Sequence, residues 1–201
     1  MSFNDGLMYK VIPISKNHHY WNDIQEVVDK KINRRLRPQF GRLIITELYS
    51  VKWRKKPFSF SYYKEFKPNR RFFFHGTSKK TIIKILDEGF KVMPNFKNGR
   101  MLGDGVYVTY HTNKGKHYAP DNYVLSVMVY APKTLVIGPG ETITEAQIKA
   151  AANQYHAIEV RTGAIIDYPK KSPWTMQNHE ICVFDPQRVI PRFILKLAKK
   201  E

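Results

Sequence analysis

The sequence is poor in cysteine, since Cys182 is the only one among 201 residues. A lone cysteine excludes an internal disulfide and any zinc site built from several cysteines. Its apolar neighbours, Ile181, Val183 and Phe184, predict a small buried side chain rather than a nucleophile. The chain also has no apolar run long enough to cross a bilayer, and its first ten residues lack the plan of a signal peptide. We therefore expect an intracellular protein, nuclear or cytoplasmic, without a membrane partner.

Several common catalytic and ligand-binding motifs are also missing. No Walker-type phosphate loop occurs, and the glycines between residues 99 and 105 do not fit the dinucleotide fingerprint G-x-G-x-x-G after a strand. The histidines lack the paired spacing of metal ligands, so His18, His19 and His117 are expected at the surface and no metal is expected. The absence of a G-x-S-x-G elbow argues against a Ser-His-Asp hydrolase.

Acidic residues are scarce: 17 Asp and Glu stand against 34 Lys and Arg, which gives a net charge of +17. Residues 1–80 hold 18 of the basic residues and 6 of the acidic ones. This bias favours a polyanionic partner, such as nucleic acid bound through the basic face, or a ligand with phosphate groups. A basic face that is simply solvated explains the same numbers equally well.

The composition is typical of a folded globular protein, with 42% hydrophobic and 13% aromatic residues, and residues 1–201 fit one domain. Within it we separate a basic N-terminal portion, residues 1–70, from a core, residues 71–201. Patterning predicts strands over 43–53, 72–74, 105–110, 123–131, 134–137, 156–160, 180–184 and 189–197. It predicts helices over 21–36, 79–88, 111–119 and 145–154, the second capped by Ser78 or Thr77 and ended by Gly89. Because strands outnumber helices and a tight turn joins the last two as a pair, we expect an α+β fold dominated by antiparallel pairing.

Three further segments are less regular. Five aromatic residues lie between 58 and 66, near the basic residues Lys64, Lys67, Arg70 and Arg71, which fits either a stacking surface for single-stranded nucleic acid or ordinary core. Residues 90–104 are rich in Pro, Gly and Asn and predict a long loop, which suggests a functional role. Residues 163–177 also predict a loop, with room for one short strand.

The segment from Arg71 to Leu86, RFFFHGTSKKTIIKIL, combines a strand, a turn and a helix. Phe72 to Phe74 form a short apolar run bounded by charge, which predicts a buried strand. His75 therefore ends a strand, and Gly76 leaves the main chain open to a ligand. By itself such a His-Gly pair is more often part of an ordinary strand-turn-helix unit.

Three segments follow one another in the chain: FFFHGTS, GRMLGDGVYVTYHTNKGKHY and NHEICVFDPQRVIPRFILKL. Their order and spacing resemble the catalytic domain of the poly(ADP-ribose) polymerases, the H-Y-E branch of the ADP-ribosyltransferases. The second segment contains the family's two tyrosines eleven residues apart, Tyr107 and Tyr118. In the third, the family pattern N-E-Y-x-V-Y-D is matched by Glu180, Val183, Phe184 and Asp185. The clear resemblance covers residues 71–197.

This resemblance implies an ADP-ribosyltransferase-like fold, with mainly antiparallel split β-sheets and short flanking helices, and NAD as a substrate. Its three catalytic positions fall on His75, Tyr107 and Glu180. Glu180 would stabilise the positive charge that builds on the ribose as nicotinamide leaves, and would polarise the acceptor nucleophile. His75 would hold the adenosine-side ribose, and Tyr107 would form a wall of the pocket. The implied acceptor is a protein, including the chain itself, or a nucleic acid.

The remaining matched positions would bind NAD. Gly76 would offer its N–H and C=O to the nicotinamide carboxamide, next to Thr77, and Tyr118 would stack on the nicotinamide ring. Gly115 stands where the family usually has a serine whose hydroxyl also holds the carboxamide. The loss of one neutral hydrogen bond costs about 1 kcal/mol, so we expect weaker NAD binding.

The resemblance leaves the product open. Met101 and Lys114 fall where polymer-forming members contact the growing chain, but Asn178 replaces the tyrosine expected two residues before Glu180. Transfer of one unit and of a polymer are therefore both compatible with the sequence. An RNA 2′-phosphotransferase of the same fold would need arginines around the pocket. A non-catalytic basic module that binds nucleic acid or ADP-ribose is the other alternative, and Gly115 keeps it open.

Overall fold

The computed structural model describes Gly6 and residues 9–32, 41–54, 72–92, 101–167 and 172–200. The aromatic segment at 58–66, much of the 90–104 loop and the predicted helix beyond residue 32 lie outside the described residues. Two sheets organise this part of the chain, one of nine strands and one of three. No helix in these ranges is long and apolar enough to cross a membrane.

The nine-stranded sheet contains most of the predicted strands. Its members are β1 (Tyr9–Pro13), β2 (Leu43–Trp53), β3 (Phe72–Gly76), β4 (Val106–Thr109), β5 (Tyr123–Val129), β6 (Thr134–Ile137), β8 (Ala157–Val160), β11 (Glu180–Val183) and β12 (Val189–Lys199). The spatial order is β1-β2-β12-β5-β3-β4-β11-β8-β6, and all neighbours are antiparallel except β6 and β8. The small sheet consists of β7 (Thr142–Thr144), β9 (Ile165–Asp167) and β10 (Trp174–Thr175). The predicted α+β class with mainly antiparallel pairing is confirmed.

Some strand predictions are wrong in detail. β1 lies in a segment without a predicted strand, β7 was not predicted, and the 163–177 segment holds two short strands instead of one. The last two long strands, β11 and β12, do not pair with each other. β11 lies between β4 and β8, and β12 lies between β2 and β5. The turn at Pro186–Arg188 is a short 3-10 helix that carries the chain to another part of the sheet.

Within the described ranges, four α-helices flank the sheets: α1 (His19–Lys30), α2 (Lys79–Glu88), α3 (Thr112–His117) and α4 (Glu145–Gln154). The predicted ends of α2 are confirmed. The Ser78 hydroxyl accepts a hydrogen bond from the Thr81 N–H at 3.2 Å, and Gly89 ends the helix with a φ of 79°. That positive φ is a conformation in which glycine has no steric penalty.

Helix α1 begins two residues before its predicted start and ends at Lys30, well before residue 36. Contacts of Lys31 explain this early end. Its side chain is buried, donates a hydrogen bond to the Phe72 carbonyl and lies 3.9 Å from the centre of the Tyr110 ring. Its carbonyl accepts from the Thr112 N–H at 2.9 Å, so tertiary contacts hold the residue that follows the helix.

Three buried clusters hold these elements together. Helix α2 packs Ile82, Ile85 and Leu86 into one of them, and α1 contributes to a second. The third joins α4 to the small sheet and includes Cys182, which is fully buried as predicted. Only one register pair, Phe74 with Thr109, joins β3 to β4. The nine-stranded sheet is therefore almost split between these two strands.

Candidate active site

A cavity of about 480 Å³ lies where β3 and β4 separate. The elements that line it are β3, α2, β4, α3 and β11, together with neighbouring loop residues. Six of the seven site positions predicted from the sequence line this cavity: His75, Gly76, Tyr107, Gly115, Tyr118 and Glu180. The seventh, Thr77, is half-buried in the turn after β3 and is not among the described residues that line the cavity.

His75 is held by the strand on the other side of the split. Its Nδ1 lies 2.8 Å from the carbonyl oxygen of Tyr107, and because a carbonyl can only accept, Nδ1 carries the proton. The ring meets Phe90 edge to face, with 5.1 Å between the ring centres. Burial lowers the pKa of His75, although the bond to Tyr107 acts in the opposite direction. The neutral ring therefore keeps Nε2 as a hydrogen-bond acceptor.

Gly76 is required by the packing of the chain itself. A Cβ at this position would lie 1.8 Å from the carbonyl oxygen of Gly115 and 2.9 Å from the Cβ of Tyr118. The space beside the Gly76 Cα is thus filled by the chain itself, which the sequence argument about ligand approach did not anticipate. At Gly115 a Cβ would lie 2.9 Å from the Cβ of Phe74, so a serine there would require its neighbours to move.

Tyr107 fixes the loop before β4. Its hydroxyl accepts from the Leu102 N–H at 2.7 Å and donates to the Gly103 carbonyl at 2.8 Å. Burial raises the pKa of Tyr107, so the phenol stays protonated. Tyr107 therefore lines the cavity through a ring whose hydroxyl is already committed to the backbone.

Glu180 lies on an inner strand and is 7% exposed. Its register partners are Thr109 on β4 and Val160 on β8. The Lys114 Nζ lies 3.6 Å from Glu180 Oε1. Burial raises the pKa of Glu180, while the charges of Lys114 and His179 act to lower it. The site therefore keeps a carboxylate in a place where its charge is poorly compensated.

Lys114 connects Glu180 to Tyr118. Burial acts to lower the pKa of Lys114, but the Glu180 carboxylate and the Tyr118 hydroxyl together outweigh burial and raise it, so the ammonium stays charged. Its Nζ donates to the Tyr118 hydroxyl at 3.2 Å and lies 4.8 Å from the centre of that ring. Tyr118 is 53% exposed, which is unusual for so large a side chain. The i, i+4 spacing of Lys114 and Tyr118 is the sequence signal for this contact.

Sequence reasoning assigned no site residue to the part of the cavity wall formed by α2 and the residues that follow it. Its lining residues there include Thr81, Lys84, Glu88, Phe90 and Lys91. Three of them recur along α2 at intervals of three and four residues, which places them on one face of that helix. Among the described residues, no group of three or more His, Cys, Asp or Glu side chains is arranged to hold a metal ion.

Comparison with known proteins identifies the family of this chain. A model of the poly(ADP-ribose) polymerase catalytic domain matches residues 22–199. One similar protein is the poly [ADP-ribose] polymerase tankyrase of Caenorhabditis elegans, which is 26% identical over 157 residues. The match covers 63% of this chain and 7% of the relative, so the chain spans only a small part of that protein's length. The chain belongs to the poly(ADP-ribose) polymerase catalytic domain family, a family of ADP-ribosyltransferases.

Proposed function

We propose that this protein transfers ADP-ribose from NAD+ to a protein acceptor and releases nicotinamide. The observation that carries the proposal is the buried Glu180 carboxylate, which lines a cavity of about 480 Å³ together with His75 and Tyr118. A buried carboxylate with a raised pKa at a cavity is a frequent feature of catalytic sites. Family membership supplies the reaction class.

In this reaction the bond between nicotinamide and ribose breaks, and positive charge develops on the ribose ring. A carboxylate fixed beside that ring interacts more strongly with the transition state than with the neutral ground state. The low exposure of Glu180 strengthens this interaction, because little water is present to screen it. Glu180 would also accept a proton from, or polarise, the attacking nucleophile.

His75 is suited to bind a hydroxyl of the adenosine-side ribose. Its Nδ1–H is used by the Tyr107 carbonyl, so the free Nε2 accepts a hydrogen bond and a sugar O–H can donate one. The lowered pKa of His75 favours the neutral ring that this role requires. The backbone carbonyl of Tyr107 holds His75, and the ring of Tyr107 forms part of the cavity wall.

Nicotinamide would lie against Gly76 and Tyr118. The Tyr118 ring is exposed enough to stack on a flat aromatic group, and the nearby Lys114 limits where that ring can lie. Gly76 is one of the residues that line the cavity. Thr77 would assist only through the turn after β3.

A non-catalytic module that binds ADP-ribose remains a second candidate because of Gly115. A serine Cβ at this position would crowd Phe74, so the site is built around glycine and offers one hydrogen bond fewer to a carboxamide. The RNA 2′-phosphotransferase alternative receives less support. The basic residues that line the cavity in the described chain are lysines, namely Lys84, Lys91 and Lys114.

Intact mass spectrometry after incubation with NAD+ tests the proposal, with the chain alone and with a lysate as acceptor. The wild type should gain one or more ADP-ribose units, and Glu180→Gln should gain none. Glu47→Gln, which removes a strand carboxylate outside the cavity lining, is the matched control. One unit indicates mono-transfer and a ladder indicates polymer formation. Binding of ADP-ribose without any mass gain or nicotinamide release would contradict the enzyme and support the module.

A further inference from the structure

Two histidines meet beside the cavity and have no role in the proposed mechanism. His111 immediately precedes α3, and His179 immediately precedes Glu180. The backbone N–H of His179 donates to the His111 Nδ1 at 3.3 Å. This bond joins the start of the helix that carries Lys114 to the start of the strand that carries Glu180.

Thr109 completes this histidine junction, which we define as Thr109, His111 and His179. The Thr109 Oγ1 accepts from the His111 N–H at 3.1 Å and donates to the His179 carbonyl at 3.0 Å. The Tyr110 N–H donates to the same carbonyl at 3.0 Å. The backbone directly before Glu180 is thus held at its N–H by His111 and at its C=O by two groups of the β4 end.

The ring of His179 is also fixed. Its Nε2 lies 3.0 Å from Glu159 Oε1, which also accepts from Arg161 Nε at 3.1 Å. Tyr110 also restrains the His179 ring. The two rings stack with 5.2 Å between their centres and an angle of 17° between their planes. His179 therefore has little freedom to rotate, and His111 is anchored to a rigid partner.

We propose that His111 is a positioning residue that sets the separation of Lys114 and Glu180. This inference rests on the proposed function for the chemistry assigned to Glu180. Lys114 lies three residues after His111 on a helix of only six residues, and Glu180 directly follows His179. A shift at the junction therefore moves the 3.6 Å contact between Nζ and Oε1. A misplacement of about 1 Å can cost on the order of 100-fold in rate.

The protonation state of His111 is consistent with this role. Because Nδ1 accepts from a backbone N–H, it must be unprotonated in the junction. Burial, and then the charges of His179 and Lys31, lower the pKa of His111 to about 4. The ring therefore remains an acceptor throughout the neutral range.

The kinetic test compares His111→Ala, His111→Asn and a matched control, His156→Ala. The control is apt because the His156 Nδ1 also accepts from a backbone N–H, that of Lys133 at 3.2 Å, at the far end of β8 from Glu180. We expect His111→Ala to lower kcat for nicotinamide release about tenfold with a nearly unchanged KM. His111→Asn, whose amide oxygen can accept the same bond, should restore most of kcat. In a Lys114→Met background the His111→Ala effect should largely disappear.

A second readout does not need turnover. Carbon-13 NMR titration of the Glu180 carboxyl reports how close Lys114 lies, with Tyr107 and His179 as the other titratable groups that act on it. His111→Ala should raise the Glu180 pKa, and His156→Ala should leave it unchanged. An unchanged Glu180 pKa in His111→Ala, or a kcat equal to that of the control, would overturn the positioning role. An inactive wild type would contradict the proposed function alone, since the titration still decides the role of His111.

Discussion

Glu47 and Glu180 are both carboxylates on the nine-stranded sheet, and each has a lysine nearby, but their surroundings differ. Glu47 Oε2 accepts from the hydroxyls of Tyr49 at 2.7 Å and Tyr123 at 2.8 Å. Its Oε1 accepts from Lys196 Nζ at 2.7 Å. Burial acts to raise the pKa of Glu47, but these hydrogen bonds outweigh burial and lower it to about 2. The fold thus stabilises this charge.

Glu180 is more deeply buried and has less compensation. Its Lys114 contact is longer, at 3.6 Å, and the pKa of Glu180 is raised instead of lowered. An ionised carboxylate that is buried with little compensation lowers the stability of the folded protein, and such a loss of stability is usual at functional sites. The comparison indicates that Glu47 holds strands together, whereas the charge of Glu180 is left for a ligand.

Removal of the lysine beside each carboxylate should give the largest of the expected effects, and the effects on the two carboxylates should differ. Lys114→Met should lower kcat for nicotinamide release about tenfold at neutral pH, because without the nearby cation a smaller fraction of the Glu180 carboxyl is ionised. The acidic limb of the pH–rate profile should also move to higher pH, since the Glu180 pKa rises further. Lys196→Met should leave that limb in place and lower Tm. Rate profiles between pH 5 and 9 measure both variants, and a limb that stays in place for Lys114→Met would contradict the account.

Loss of the Glu47 charge should have a smaller effect, confined to stability. Glu47→Gln should lower the free energy of unfolding by about 1 kcal/mol at pH 7, because the group is partly exposed and solvent screens it. The folded pKa of Glu47 lies below the usual value of about 4.3. Its contribution is therefore complete only above the unfolded pKa, from about pH 5, and disappears as the pH falls towards about 2. Urea unfolding of the wild type and Glu47→Gln at pH 7 and pH 2.5 measures the difference in their free energies of unfolding. An equal difference at the two pH values would refute the prediction.

The smallest expected effect is a gain in stability. Glu180→Gln should raise Tm by about 2 °C at neutral pH, because it removes a poorly compensated buried charge. The folded pKa of Glu180 is above its unfolded value, so wild-type stability falls as the pH rises through that interval. The advantage of Gln should therefore vanish below the unfolded pKa. Calorimetry at pH 7.5 and pH 3.5 compares the two proteins, and a lower Tm for the variant at pH 7.5 would count against the account.

Local pattern was sufficient for much of the fold. The predicted bounds of β2, 43–53, and α4, 145–154, agree with the structure because each has an uninterrupted period and clear ends. Six of the seven site positions share one cavity because they lie in three short segments with recognisable spacing. The early end of α1 could not be predicted, since it depends on contacts of Lys31 with residues 41 and 79 positions away.

The electrostatic difference between the two carboxylates was also beyond the sequence. Glu47 binds Lys196, which is 149 residues away, and Glu180 meets Lys114, which lies on α3 in a different segment of the chain. Sequence spacing identifies Glu180 as a candidate, but its burial and its lysine contact come from pairing between distant strands. Such long-range contacts have no local signal.

The most direct test of the central claim is nicotinamide release from NAD+ by the wild type, Glu180→Gln and Glu47→Gln. The account predicts a measurable wild-type rate, a loss on the order of 100- to 1,000-fold for Glu180→Gln, and a rate close to wild type for Glu47→Gln. A thermal unfolding curve of each of the three proteins checks that it is folded at the assay temperature. A Glu180→Gln rate equal to that of the wild type, or equal losses in the two variants, would contradict the account.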